Sequence, residues 1–288
     1  MSSAHQLRTR LHSGELIVAP GAWDGISARL VEQAGYPAVY MTGAGVSAAR
    51  GFPDFGLVTM SEMAESAGVL TRSVGIPVIA DTDTGYGNSL NVRRTVQEYE
   101  MRGVAALQIE DQASPKRCGH LDGKELITTG EFVEKISAAV AAKRDSDLVI
   151  IARTDARAVT SLDDAIERVN RALAAGADIA FVEAPRSLDE AVEVACRVDG
   201  PCLLNLVPGG KTPNIALDVA AHLGFRMVIL PGLVLTALMR AGDQALASLR
   251  DQGCAPAQSA SQSISALFDR LGAREWQAVP VRASHAAE

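Results

Sequence analysis

Residues 148–184 read LVIIARTDARAVTSLDDAIERVNRALAAGADIAFVEA. The stretch opens with an apolar run, 148–152, too short for a buried helix, and Arg153 and Asp155 follow it directly. Between 161 and 175 the period changes. Leu162, Ala165, Ile166, Val169, Leu173 and Ala174 recur at the spacing of one helix face. Ser161 is placed to cap that helix, Asp163 and Asp164 suit its electropositive first turn, and Gly176 is the residue type that stops it. A second apolar run, 179–182, ends at Glu183. Strand, helix and strand in this order form a parallel βαβ unit. Charged residues stand at the end of both strands.

The same alternation extends in both directions. Further apolar runs at 16–19, 38–41, 78–80, 105–109, 202–207 and 227–230 bring the strand count to eight, and helical patterns at 61–74, 91–102, 131–143 and 188–197 lie between them. Eight such units predict an α/β protein of the (β/α)8 TIM-barrel class; an open doubly wound sheet is the alternative. After Gly253 the pattern changes to a small-residue and Gln/Ser linker, 254–263, then an amphipathic segment, 264–271, and Trp276. The expected organisation is a catalytic barrel over 1–253 and a C-terminal helical extension over 254–288. The apolar face of that extension must pack on its own barrel or on a neighbouring subunit.

Composition narrows the function. Hydrophobic residues make up 48% of the 288 but aromatics only 4%, so the core is built from Ala, Val, Leu and Ile, as suits strands covered on both faces. A net charge of −7 and a pI near 5.3 argue against nucleic acid or an anionic membrane as partner. No apolar run reaches the ~18 residues of a membrane span, and residues 1–10 lack the apolar core of a signal peptide. Cys118, Cys196, Cys202 and Cys254 have no CxxC spacing, which points to free thiols in a reducing cytoplasm.

Barrel enzymes place their chemistry at the C-terminal strand ends. Read in order, those ends carry Asp24, then Thr42-Gly43-Ala44, Asp81 and Asp83, Glu110 and Asp111, Arg153 and Asp155, Glu183, and Asn205. Carboxylates from neighbouring strands repel in a small space, and a divalent cation is their natural compensation. Oxygen ligands alone select a hard ion, Mg²⁺ or Mn²⁺. After the fourth strand comes Lys116-Arg117-Cys118-Gly119-His120. Two cations beside a thiol are expected to lower its pKa, and such a loop can close over an anionic substrate and deliver a proton. Gly43 to Ala48 matches a loose GxGxxA phosphate loop, but the acid of a dinucleotide site would fall inside a helix pattern rather than at a strand end.

The strings DTDTGYG (81–87), IEDQ (109–112), PKRCGH (115–120), IARTD (151–155) and NLVPGGKTP (205–213) resemble those of the isocitrate lyase/phosphoenolpyruvate mutase superfamily, over roughly 16–232. The resemblance implies a barrel whose C-terminal helix is exchanged between subunits of a homotetramer built as a dimer of dimers. It implies that Asp81 binds Mg²⁺ directly, with Asp54, Asp83 and Glu110 holding its waters. Thr42, Gly43 and Ala44 would cradle a substrate carboxylate with Tyr40 nearby, while Arg153, Glu183 and Asn205 orient the rest. Lys116, Arg117, Gly119 and His120 would belong to the closing loop, and Cys118 would be the general acid. The loop cysteine resembles the lyases rather than the phosphonate mutases. Thr42-Gly43-Ala44 stands where methylisocitrate lyases carry Ser-Gly-Gly, and 208–213 resembles the 2,3-dimethylmalate lyase and petal-death-protein type; both point away from methylisocitrate. The expected reaction is retro-Claisen cleavage of a 2-alkylmalate or methylisocitrate to pyruvate, or a related 2-oxo acid, and a short carboxylate, with Glu183 or a metal-shell water as the base that takes the 2-hydroxyl proton and Arg153 meeting the developing charge. Hydrolysis or decarboxylation of oxaloacetate, and a phosphonopyruvate or carboxyphosphonoenolpyruvate mutase reaction, are the alternatives.

Overall fold

In the computed structural model, which describes residues 1–255 and 263–279, each of the eight apolar runs is a strand. They are β1 (Ile17–Ala22), β2 (Val39–Met41), β3 (Val78–Asp81), β4 (Ala106–Glu110), β5 (Val149–Thr154), β6 (Ile179–Val182), β7 (Cys202–Asn205) and β8 (Met227–Leu230). Each pairs in parallel with the next, and β8 closes on β1 with Ile17 opposite Met227 and Ala19 opposite Ile229. This is a closed (β/α)8 barrel. Its helices are α1 (Ser3–Ser13), α2 (Gly25–Gln33), α3 (Gly43–Ala49), α4 (Met60–Ser73), α5 (Ser89–Glu100), α6 (Thr129–Ala142), α7 (Ala156–Val159), α8 (Leu162–Ala174), α9 (Leu188–Arg197) and α10 (Leu217–His222). Ser161 caps α8 by accepting from the Asp164 N–H, and Gly176 beyond its end takes φ +104°.

Side chains alternate across each strand, and here that parity sorts two cores. Tyr40, Ile79, Ala106, Val149, Ile151, Ile179, Phe181, Leu203, Met227 and Ile229 fill the barrel interior. Their neighbours in sequence, among them Met41, Ala80, Leu107, Ile109, Ile150 and Ala152, face the helices. Leu7 and Leu11 of α1 also belong to the interior cluster, while Arg8 donates to the Asp147 and Leu148 carbonyls and pairs with Asp178 at 2.9 Å. The first helix is thus a plug for one end of the barrel, in a stretch read from sequence only as a polar N-terminus.

The chain divides into two compact units, Met1–Ala237 and Leu238–Glu288. The barrel lies in the first. A long helix, α11 (Leu233–Gln252), runs into the second, which also holds α12 (Ile264–Arg270) and α13 (Ala273–Gln277). In that second unit Leu238, Met239, Leu246, Leu249, Ile264, Leu267, Phe268 and Trp276 are exposed. Most of the expected linker and the last part of the extension, 256–262 and 280–288, lie outside the described residues. Among the described residues no helix is long and apolar enough to cross a membrane.

Candidate active site

Inward parity, carried one residue past the apolar part of each strand, delivers Asp81, Glu110, Arg153, Glu183 and Asn205 to the C-terminal mouth of the barrel. All five are buried. The same rule sends Asp111 outward, where its carboxylate accepts from Thr154 Oγ1 at 2.6 Å and the Asp155 N–H at 2.9 Å and pairs with Arg168 at 3.2 Å. Asp111 therefore supports the wall and does not face the site. The mouth encloses a cavity of about 140 Å³. Tyr40, Thr42, Ala44, Asp54, Asp81, Lys116, Cys118, Gly119, His120, Arg153, Glu183 and Asn205 line it, and Val207, Ile229, Pro231 and Leu235 give it an apolar side.

One pole of the cavity is acidic. Asp81 is held by three donors: the Asp83 N–H at 3.0 Å, the Gly43 N–H at 3.3 Å and Gln108 Nε2 at 3.4 Å, with Gln108 itself fixed by Tyr40. Asp83 adopts φ +46°, a strained conformation for a side-chain-bearing residue, and this bends its N–H back onto Asp81. A Cβ on Gly43 would stand 2.7 Å from Asp81 Oδ2, so only glycine permits this approach. Gly43 serves the acid pole and does not line the cavity; of the three expected cradle residues, Thr42 and Ala44 do. The Lys116 ammonium lies 2.5 Å from Asp54 Oδ1 and 2.8 Å from Asp83 Oδ1. Burial pushes the Asp83 carboxyl up to about 6, although Lys116 opposes the shift.

Glu110 is 1% exposed, and neither of its oxygens accepts a hydrogen bond; its ion-pair partner, Arg153 Nη1, is 3.3 Å away. Burial raises its pKa well above the ordinary range despite Arg153. A buried carboxylate with no donor is costly unless water or a cation meets it. Among the described residues no three His, Cys, Asp or Glu side chains converge closely enough to chelate a metal outright. One direct carboxylate, with the others reached through water, is the arrangement these oxygens fit, and it is the habit of a small hard ion.

The opposite pole is a held anion. Glu183 receives Asn205 Nδ2 at 3.1 and 3.2 Å, His120 Nε2 at 3.2 Å and Arg153 Nη2 at 3.5 Å. Burial works against ionisation, but Arg153, His120 and Asn205 together bring its carboxyl down to about 2. His120 Nδ1 accepts the Lys211 N–H at 3.1 Å, so in the neutral ring the proton sits on Nε2 and points at Glu183. Arg153 stacks on Phe181, 5.2 Å from the ring centre, and is locked by Asp155.

The loop 116–120 departs from expectation in two respects. Cys118 is partly buried, and burial pushes its thiol up rather than down, with the His120 N–H and Arg153 opposing. The two cations expected to acidify it are engaged elsewhere. Lys116 is turned into the acid pole, and Arg117 is exposed, with its backbone clasped by the Gln112 amide at 2.8 and 2.9 Å. Arg117 does not line the cavity. A thiol that keeps its proton is what a general acid requires. Sequence reasoning missed Gln108, which has a signal in its inward strand parity.

The family described as phosphoenolpyruvate phosphomutase matches residues 7–250. A 2-methylisocitrate lyase of Aeropyrum pernix is 44% identical over 86% of this chain and 80% of its own, and a 2,3-dimethylmalate lyase of Eubacterium barkeri is 45% identical over 80% of each. The crystal structure of a 2,3-dimethylmalate lyase superposes with a TM-score of 0.93 at 39% identity, covering 100% of this chain and 99% of that one. An oxaloacetate acetylhydrolase in complex with 3,3-difluorooxalacetate gives 0.93 at 39%, covering 96% and 95%. With the same barrel and this breadth of likeness, the chain belongs to the isocitrate lyase/phosphoenolpyruvate mutase superfamily.

Proposed function

We propose that the protein is a Mg²⁺-dependent carbon–carbon lyase that cleaves a small 2-hydroxy dicarboxylate of the 2-alkylmalate type to a 2-oxo acid and a short carboxylate. The observation that carries this reading is one cavity lined by Asp54, Asp81, the fixed guanidinium of Arg153 and the thiol of Cys118, with Asp83 and Glu110 ion-paired to Lys116 and Arg153 of that lining. The likeness to methylisocitrate and dimethylmalate lyases supports it.

Asp81 would hold the ion directly, and Asp54, Asp83 and Glu110 its waters; Mn²⁺ satisfies the same oxygen donors. An ion held there would supply Lewis acidity toward the substrate 2-hydroxyl and its adjacent carboxylate. Thr42 and Ala44 border the space for the substrate carboxylate. Glu183, held as a carboxylate by Arg153, His120 and Asn205, and a metal-shell water are the two candidates to take the hydroxyl proton. As the C–C bond breaks, negative charge moves onto the departing carboxylate fragment, where Arg153 can meet it. Cys118 Sγ then gives its proton to the carbanion carbon. Exposed apolar side chains on α12 and α13 are consistent with packing against further copies in a homotetramer, and free cysteines with a reducing cytoplasm.

The test is a panel of 2,3-dimethylmalate, 2-methylisocitrate, oxaloacetate and phosphonopyruvate, with Mg²⁺ or with chelator, following 2-oxo acid release. Metal-dependent pyruvate release from the alkylmalate, faster than from methylisocitrate, is expected. Oxalate and acetate from oxaloacetate as the leading activity would instead select the hydrolase reading, which the acetylhydrolase likeness favours.

A further inference from the structure

We propose that Lys124 is a positioning residue that latches the catalytic loop onto β5 and thereby sets Cys118 and Arg153 together; their roles rest on the lyase reading above. After β4 the chain leaves the barrel and returns through an antiparallel bridge between Gln112 and Leu126, with the Ala113 N–H donating to Glu125 O at 2.8 Å. Lys124 stands at the foot of the returning limb, between the exposed Gly123 and Glu125. Its own side chain is 1% exposed and runs inward. The ammonium donates to the Gly119 carbonyl, one residue from Cys118, and lies 3.2 Å from Asp155 Oδ1. Asp155 in turn grips Arg153 through Nε at 3.0 Å and Nη2 at 3.2 Å.

A single buried cation therefore joins the loop backbone beside the thiol to the carboxylate that orients the guanidinium. Lys124 does not line the cavity, so it acts through these partners and not on substrate. Asp155 already has Arg153, and a second buried cation is expensive unless all its donors are used. The Gly119 carbonyl uses one of them only while the loop lies down. Lifting the loop strands that donor, so the ammonium biases the loop toward the arrangement in which Gly119 packs on Arg153 and Glu183.

The experiment compares the parent with Lys124→Met, Lys124→Gln and Lys124→Arg in the full chain, with folding checked by circular dichroism. Iodoacetamide labelling of Cys118 is timed by mass analysis of its peptide, and kcat and KM are measured separately. In Lys124→Met, Cys118 should label about tenfold faster or more, and kcat should fall with KM changed much less. Lys124→Arg should recover part of both. If Lys124→Met does not fold, Lys124→Gln, neutral and shorter, carries the same two measurements. A folded variant that labels at the parental rate overturns the latch, whatever its turnover. A parent that cleaves none of the hydroxy acids removes the lyase reading but leaves the labelling result standing.

Discussion

Cys118 is held where burial keeps its sulfur protonated, in the same cavity as Arg153 and Asp81. Serine there has nearly the same shape but a hydroxyl too weakly acidic to protonate a carbanion in time. Cys118→Ser should lower kcat by about 10²–10⁴-fold and leave the far-ultraviolet dichroism and divalent-ion binding unchanged; steady-state assays and calorimetry check both. Retention of full turnover would remove the thiol from the reaction. Gly119, next in sequence, offers a second test. A Cβ there would stand 2.4 Å from Arg153 Nη2 and 2.6 Å from Glu183 Cγ, so alanine must push the loop away from both. Gly119→Ala is expected to lose at least about tenfold in kcat with a melting temperature close to the parent's, because the strain falls on a loop and not on the barrel. At this scale the sequence was readable where a period operated. Asp81, Glu110, Arg153, Glu183 and Asn205 follow from strand ends alone. The loop has no period, so nothing in the string Lys116-Arg117 says that the lysine turns inward to Asp54 and Asp83 while the arginine faces water.

Among the elements, α1 shows how a local composition can hide a pattern. Residues 1–10 are polar on average, yet Ala4, Leu7 and Leu11 fall on one helix face and all three are buried. Ser2 caps the helix by accepting from the His5 N–H, and Gly14 ends it at φ +84°. The signal was present, but a helix preceding the first strand has no partner in a strand–helix repeat, so its buried side became visible only once the barrel end it covers was known. Leu7 is fully buried among Ile17, Val149 and their interior neighbours. Leu7→Ala should therefore cost about 3 kcal/mol, read as a lowered urea midpoint with an unchanged slope. A cost below about 0.5 kcal/mol would mean that α1 is an appendage and not part of the core.

Across the whole molecule, Lys116 and Arg153 offset only part of the acidic charge at the barrel mouth, so stability is expected to respond to pH and metal together. Burial raises Asp83 at the site, and Asp111 in the wall away from it, to about 6, above the ~3.9 of an aspartate in the unfolded chain. Between these values the folded state binds more protons than the unfolded state. The contribution of both residues is then complete below pH ~4 and is lost as the pH rises through about 6. Glu183 has the opposite sign: held at about 2, it adds stability above its unfolded value of ~4.3 and loses it only toward pH 2, outside this window. In chelator, the melting temperature should thus fall between about pH 4 and pH 6. A hard cation binds the ionised carboxylates and not the protonated ones, so the rise on adding Mg²⁺ should be small near pH 5 and largest above about pH 7. Asp83→Asn removes one of the titrating oxygens and should flatten that difference while the barrel still folds. Thermal melts at several pH values, with chelator and with saturating Mg²⁺, decide it. An equal Mg²⁺ shift at both ends of the range would mean that the ion is bound somewhere other than this cluster of acids.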